Sequence, residues 1–454
     1  MSANTQQQQT GAPVSTPDQE PPWPAPAYGW YVTIILTIAY TVSFIDRQIL
    51  NLLVEPIRHD LGISDVQISL LQGFAFALFY ALMGVPIARL ADRGNRRTII
   101  AIGIFVWCLM TAACGLARNY LQLFLARVGV GIGEAALSPA AYSLLADYFP
   151  PEKLARAAGT YSLGVYAGSG IAMLAGGAVI AWIAGFGEVT LPGIGVLRPW
   201  QLAFILVGLP GILIGFLMFT VKEPFRRGVD ASKKQVSIRE VMQFIADNRW
   251  ILLSIFVGYS MIGIVVIGIL SWSPTYFIRL HGWSMAEVGL RYGLLLLVFG
   301  ATGAIAGGWF ADYLRQRGFD HAPVLASIIM AALSIPCATA MGLVADPWIA
   351  FFLLMPATFL PSSMVALSAT TIQLMTPNRM RAQLTALYLL AVALLGTGFG
   401  PLAVALCTQY IFADDLAVGH SIALVSGTLL PLGVLCLWAG IRKAGKPTAP
   451  STPQ

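Results

Sequence analysis

The chain has 454 residues, of which 57% are hydrophobic and only 11% charged, with 27 Lys and Arg against 21 Asp and Glu. A soluble protein carries about 25% charged residues, so lipid is the implied solvent and a large soluble domain has no sequence to form it. The excess positive charge is scattered without long basic runs, which removes nucleic acid as a partner and fits basic loops beside a membrane.

Residues 1–27 are rich in Gln, Pro, Ser and Thr and hold no Lys or Arg, so they are read as a disordered tail and not a signal peptide. A membrane-crossing helix needs roughly 20 mostly apolar residues. Twelve such stretches follow, near 29–54, 66–90, 98–117, 120–148, 157–185, 201–221, 250–278, 285–311, 322–344, 347–375, 383–411 and 419–441. The expected fold is an all-α integral membrane protein of twelve helices in two pseudo-symmetric six-helix halves. The halves are placed at 28–221 and 249–442, with a polar linker at 222–248 and a tail at 443–454.

An even number of spans puts both termini on one side. Among the Lys and Arg, only Arg58, Arg118, Arg198, Arg279 and Arg291 fall after odd-numbered spans, and Arg47 and Arg127 fall inside spans. All the others lie with the even-numbered loops and the C-terminus, which places that side and both termini in the cytoplasm. A bacterial-type inner (plasma) membrane is the expected location.

The two halves echo each other. GVPIARLADRGNRR closes span 2 and GGWFADYLRQRG closes span 8, pairing Asp92 with Asp312; ARAAGTY opens span 5 and MRAQLTALY opens span 11, pairing Arg156 with Arg381. Such internal repeats build transporters whose site lies between the halves near the bilayer midplane.

Four charges interrupt the apolar spans: Asp46 and Arg47 in span 1, Arg127 and Glu134 in span 4. A charge at that depth costs several kcal/mol and normally faces a cavity or a partner. Arg127 and Glu134 are seven residues apart, nearly two turns, so they share a helix face about 10 Å apart. The bland reading is an ion-paired strut between spans 1 and 4. The functional one makes Glu134 and Asp46 proton sites, with Arg47 and Arg127 as anion or switch partners. The corresponding spans 7 and 10 carry no mid-span charge and offer Tyr259, Trp272, Tyr276 and Phe359 as an apolar wall. A cavity charged on one wall and apolar on the other suits an amphipathic substrate.

LADRGNRR resembles the loop signature between helices 2 and 3 of the major facilitator superfamily, and ARVGVGIG, with Arg127 and Gly131, resembles its RxxxG helix-4 motif. The resemblance implies that Asp92 caps helix 11 and that Arg93 pairs with Asp147 at the end of helix 4. Asp312 could cap span 5 in the same way, because a carboxylate is favourable at a helix N-terminus. Arg156 and Arg381 are grouped with these as gating residues. FIDRQILN and ARVGVGIGEAALSPAAYSLLADYFP are similar to the spinster-like branch, whose animal members are linked to sphingosine-1-phosphate and lysophospholipids. GTGFGP at 396–401 matches the GxxxGP pattern of superfamily antiporters, but in span 11 and not span 5, which leaves symport or antiport open.

The five cysteines lie in apolar stretches with no CxxC pair, and no HExxH, GxxxxGK[ST] or GxSxG occurs. No cofactor, metal or enzymatic activity is therefore expected. The expected function is proton-coupled secondary transport of an amphipathic or lipid-like organic molecule by a monomer; the alternative is a drug or organic-anion carrier of the same kind. A membrane-embedded enzyme or receptor would need clustered reactive groups or a soluble domain, and neither is present.

Overall fold

A computed structural model describes residues 22–185, 189–191, 195–227, 238–377 and 380–444. Among these, twelve helices are long and apolar enough to cross a membrane: Pro26–Leu52, Asp65–Arg93, Arg96–Cys114, Tyr120–Tyr148, Pro151–Ile183, Pro199–Met218, Arg249–His281, Met285–Gln316, Ala322–Met341, Pro347–Met375, Gln383–Phe412 and Asp415–Lys443. They are spans 1 to 12 below. Large apolar side chains such as Leu213, Trp309 and Leu121 point outward, as a lipid-facing surface requires. The expected linker falls partly outside the described residues, including Lys233 and Lys234.

Local chemistry explains where spans begin. Asn95 and Asn119 accept hydrogen bonds from the backbone N–H of Thr98 and Gln122, and so cap spans 3 and 4. A finer internal repeat lies at the starts of spans 2 and 8. Gly62 and Gly282 both stop the preceding helix at positive φ, +62° and +65°. Two residues later Ser64 and Ser284 open capping boxes closed by Gln67 and Glu287. These pairs have the same separation as Asp92 and Asp312.

Three features departed from regular helices. Wide π-type turns occupy Leu70–Phe74 in span 2, Leu296–Gly300 in span 8 and Cys407–Phe412 at the end of span 11. Span 4 is interrupted just after Glu134, where Tyr120–Glu134 gives way to Leu137–Tyr148. A short antiparallel hairpin, Val189–Leu191 with Gly195–Leu197, joins spans 5 and 6.

The halves meet along two related seams, span 2 against span 11 and span 5 against span 8. Small residues allow the approach. A Cβ on Gly289 would lie 2.5 Å from the Met173 carbonyl oxygen and 2.8 Å from Gly177 Cα. Gly73 is pressed as closely onto the Thr397 carbonyl of span 11. Gly289→Val is expected to force this crossing apart and to lower stability by about 1–3 kcal/mol. A thermal unfolding midpoint equal to wild type in the same detergent would show that the crossing is loose.

Candidate functional site

Packing of span 1 against span 4 brings two of the four intramembrane charges, Arg47 and Glu134, into direct contact. Glu134 Oε2 accepts hydrogen bonds from Ser43 Oγ at 2.6 Å and Arg47 Nε at 2.6 Å, and pairs with Arg47 Nη2 at 2.5 Å. The Glu134 side chain is fully buried, whereas that of Arg47 is 20% exposed. The guanidinium lies over the rings of Phe44, Phe76 and Tyr80, at 4.7, 4.4 and 5.3 Å. Ring faces attract cations, so three aromatic groups and one carboxylate hold Arg47 at the edge of open space.

Arg127 does not pair with Glu134, although the two share a helix face. Its Nη1 donates to the Asp46 carbonyl and its Nε to the Leu71 carbonyl, both at 3.2 Å, so it stitches spans 1 and 2 through their backbones. Its Nη2 is buried with no partner. Asp46 is completely buried, and neither carboxyl oxygen has a hydrogen-bond partner. Thr111 of span 3 is near that carboxyl, with its own hydroxyl unpaired. An ionised carboxylate without partners is very costly in such a place.

Toward the face carrying both termini, the site opens onto hydroxyl-bearing aromatic groups that sequence reasoning did not select. Tyr40 and Tyr161 stack with centroids 4.5 Å apart, Tyr142 meets Tyr161 edge-on, and Ser138 bonds the Tyr161 hydroxyl. Tyr142 is 45% exposed. The sequence signal for Tyr40, Ser138 and Tyr142 is spacing of one or two turns from Arg47 or Glu134, while Tyr161, on span 5, has none.

The four aromatic residues expected to form the facing wall are placed differently. Tyr259 is buried with its hydroxyl against Ser327 and Thr371. Trp272 donates to the Pro401 carbonyl, and Tyr276 to the Met341 carbonyl, both from fully buried positions. These three pack spans 7, 9, 10 and 11 together and present no free group to a substrate. Phe359 is half-buried on span 10, where its backbone meets Gly303 of span 8. The apolar periodicity of span 7 cannot distinguish a cavity face from a packed one.

The gating residues also divide. Asp147 pairs with Arg96 at 2.5 Å, not with Arg93, and Arg96 also reaches Glu223 at 2.7 Å. The reason is register: span 2 runs through Arg93 and leaves it exposed, while Asn95 starts span 3 with Arg96 turned inward. Asp92 and Asp312 are exposed, and their carboxyls cap neither span 11 nor span 5. Arg156 is exposed, and Arg381 is half-buried with Nε unpaired. The halves are thus unlocked from each other at these residues.

The opposite face is locked. Arg279, at the end of span 7, bonds Glu55 at 2.5 Å and Asp65 at 2.9 Å, and also donates to the Asp415 carbonyl. Arg58 bonds Asp65 at 3.2 Å and the Asp415 carboxylate at 2.5 Å. These pairs tie the short helix Val54–Leu61 and the start of span 2 to the end of span 7 and the start of span 12. Arg58 lies four residues before Gly62 and Arg279 three residues before Gly282, so each half carries an arginine in the last turn of the helix that precedes the glycine, one residue out of register with the repeat. Ion pairs join the halves at this face, and among the described residues no ion pair joins them at the other.

This architecture coincides with a known family. The model of the Major Facilitator Superfamily matches residues 36–401, and the chain belongs to that superfamily of membrane transporters. It is 28% identical over 423 residues to an MFS-type efflux pump of Mycolicibacterium smegmatis, covering 91% of this chain and 92% of that one. It is 26% identical over 326 residues to a probable L-galactonate transporter of Escherichia coli, covering 68% and 67%. The fold is similar to the crystal structure of a bacterial homologue of the human lysosomal transporter spinster in an inward-facing, unoccupied conformation. That likeness has a TM-score of 0.78 and 27% identity and covers 94% of this chain and all of that one. The spinster-like resemblance and the twelve-helix transporter fold expected from the sequence are both met.

Arg279→Ala removes the hub of the locked face. Losing charge-assisted bonds worth about 1.5–3 kcal/mol each is expected to shift the population toward opening there by roughly tenfold or more. Electron-spin distance measurements between the Val54–Leu61 helix and the loop before span 12 report this directly. An unchanged distance distribution would place the lock elsewhere.

Proposed function

We propose that this transporter is proton-coupled and moves an amphipathic or lipid-like organic molecule with an anionic group by alternating access. The observation that supports it best is the division of labour at spans 1 and 4. Arg47 is paired with Glu134 yet reaches open space, while Asp46, the next residue, is sealed in without a partner. A substrate anion that draws Arg47 away leaves Glu134 without its cation, and Glu134 then takes a proton more readily. The aromatic rings around Arg47 supply apolar contact to the rest of the substrate.

In this reading Glu134 and Asp46 carry the proton, and Arg47 and the Tyr40–Tyr80–Tyr142–Tyr161 wall receive the substrate. Arg127 holds spans 1 and 2 in register, and Phe359 is the remaining candidate from the facing half. Asp92, Arg93, Asp147, Arg156, Asp312 and Arg381 are assigned to closure of the terminal face in the alternate conformation. The protein works as a monomer in a bacterial-type inner membrane with both termini cytoplasmic, since the basic loops gather on that face. The locked face is then the outer one. The efflux-pump and galactonate relatives support a second reading of the same site, a drug or organic-anion carrier.

Glu134→Gln keeps the shape and mimics the protonated acid. In proteoliposomes under a pH gradient, accumulation of lysolipid or sugar-acid test substrates is expected to vanish, with exchange retained. Asp46→Asn is expected to act similarly. Full gradient-driven accumulation by both variants would remove proton coupling from this site. Topology is checked separately by single cysteines at Arg315 and Leu416 in a cysteine-free background. They are expected to label from the inside and the outside respectively, and labelling of both from outside would overturn the orientation.

A further inference from the structure

One face of span 2 is polar where the helix is most deeply buried. Asp65, Ser69 and Gln72 follow at i, i+4 and i+7, with only 1%, 0% and 7% of their surfaces exposed. From span 1, Gln48 and Asn51 face them, also buried. Asn51 Nδ2 donates to Gln48 Oε1 at 2.6 Å, and Gln72 Nε2 donates to Asn51 Oδ1 at 3.0 Å. Gln72 Oε1 accepts nothing from the protein. Buried amides at membrane depth are expensive, and an apolar seam would hold these helices equally well.

The column has two defined ends. At the outer end Asp65 belongs to the Arg58–Arg279 lock. At the inner end Gln72 follows Leu71, whose carbonyl is held by the same Arg127 that holds the Asp46 carbonyl. The π-type turn Leu70–Phe74 spans this junction, and such turns gather at functional sites. Over it lies span 11, its Thr397 carbonyl pressed on Gly73.

We propose that Asp65, Ser69, Gln72, Asn51 and Gln48 form the route by which protons from the outer side reach Asp46 once that lock opens. This rests on the proton-coupled reading above. The side chains order water and remain chemically unchanged. A hydronium arriving along them gives its proton to an Asp46 carboxyl oxygen, forming the carboxylic acid and leaving water. The groups that act electrostatically on Asp46 are Arg127 and Glu134 of span 4, Arg47 of span 1, and Cys108 and Cys114 of span 3. None of them lies on the span 2 face, so the route and the site can be altered separately.

The test uses the full chain in oriented proteoliposomes. The infrared carboxyl band that Asp46→Asn deletes is followed in time after an acid step outside, and separately after one inside. Gln72→Leu and Asn51→Leu are expected to slow the response to the outside step by roughly tenfold and to leave the response to the inside step unchanged. Ser69→Ala removes a single hydroxyl and guards against a folding defect in the larger changes; it is expected to slow the outside response by a smaller factor. An unchanged outside response in all three variants, or an equal loss for both steps, would overturn the route while leaving Asp46 as the proton site. A wild-type protein with no titrating band sensitive to Asp46→Asn would overturn the proton-coupled reading and the route with it.

Discussion

Charge in a low-dielectric bundle must find its partner inside the protein, and span 1 offers two adjacent charges to satisfy. Arg47 takes the carboxylate of Glu134 and three aromatic faces. Asp46 points away from it, because neighbouring residues on a helix lie about 100° apart. Arg127, which would neutralise Asp46, spends its donors on backbone carbonyls instead. One carboxyl is therefore paired and the other isolated. That difference underlies both the substrate reading of Arg47 and the proton reading of Asp46.

The two halves share a plan but not a chemistry. Corresponding glycines and serine caps recur before spans 2 and 8, and each half presents an arginine, Arg58 or Arg279, to the other at the same face. Inside the membrane the likeness ends. The first half holds the charges, while the second is knit by neutral bonds such as Tyr259 to Ser327 and Trp272 to the Pro401 carbonyl. The asymmetry sets a half with charges buried at membrane depth against a half whose mid-span contacts are neutral.

The stretch after span 6 belongs mechanically to the first half. Glu223 meets Arg96, the Arg227 N–H donates to Asp147, and Arg226 donates to the carbonyls of Ala91, Asp92 and Gly94 at the end of span 2. Arg226 thus satisfies carbonyls that a helix C-terminus leaves unpaired. The loop signature is engaged with its own half in this conformation, through its backbone carbonyls, and the Asp92 carboxyl is left exposed.

Hydropathy and charge spacing by themselves determined the solvent, the number of spans, the repeat and the four intramembrane charges, because the cost of exposing polar groups to lipid acts on every residue of a span. They also marked spans 1 and 4 as the two spans that carry those charges. Which charge pairs with which was a matter of tertiary structure. Seven-residue spacing put Arg127 and Glu134 on one face, but helix packing brought Arg47 to Glu134 and turned Arg127 to carbonyls. The span 7 aromatics read as a cavity wall because periodicity reveals an apolar face without saying what it touches. The lock between Arg279, Arg58 and three acids joins elements from both ends of the chain, and the Asp65–Gln48 column needs two helices side by side. Both consist of contacts between residues distant in sequence, and only the packed bundle decides those.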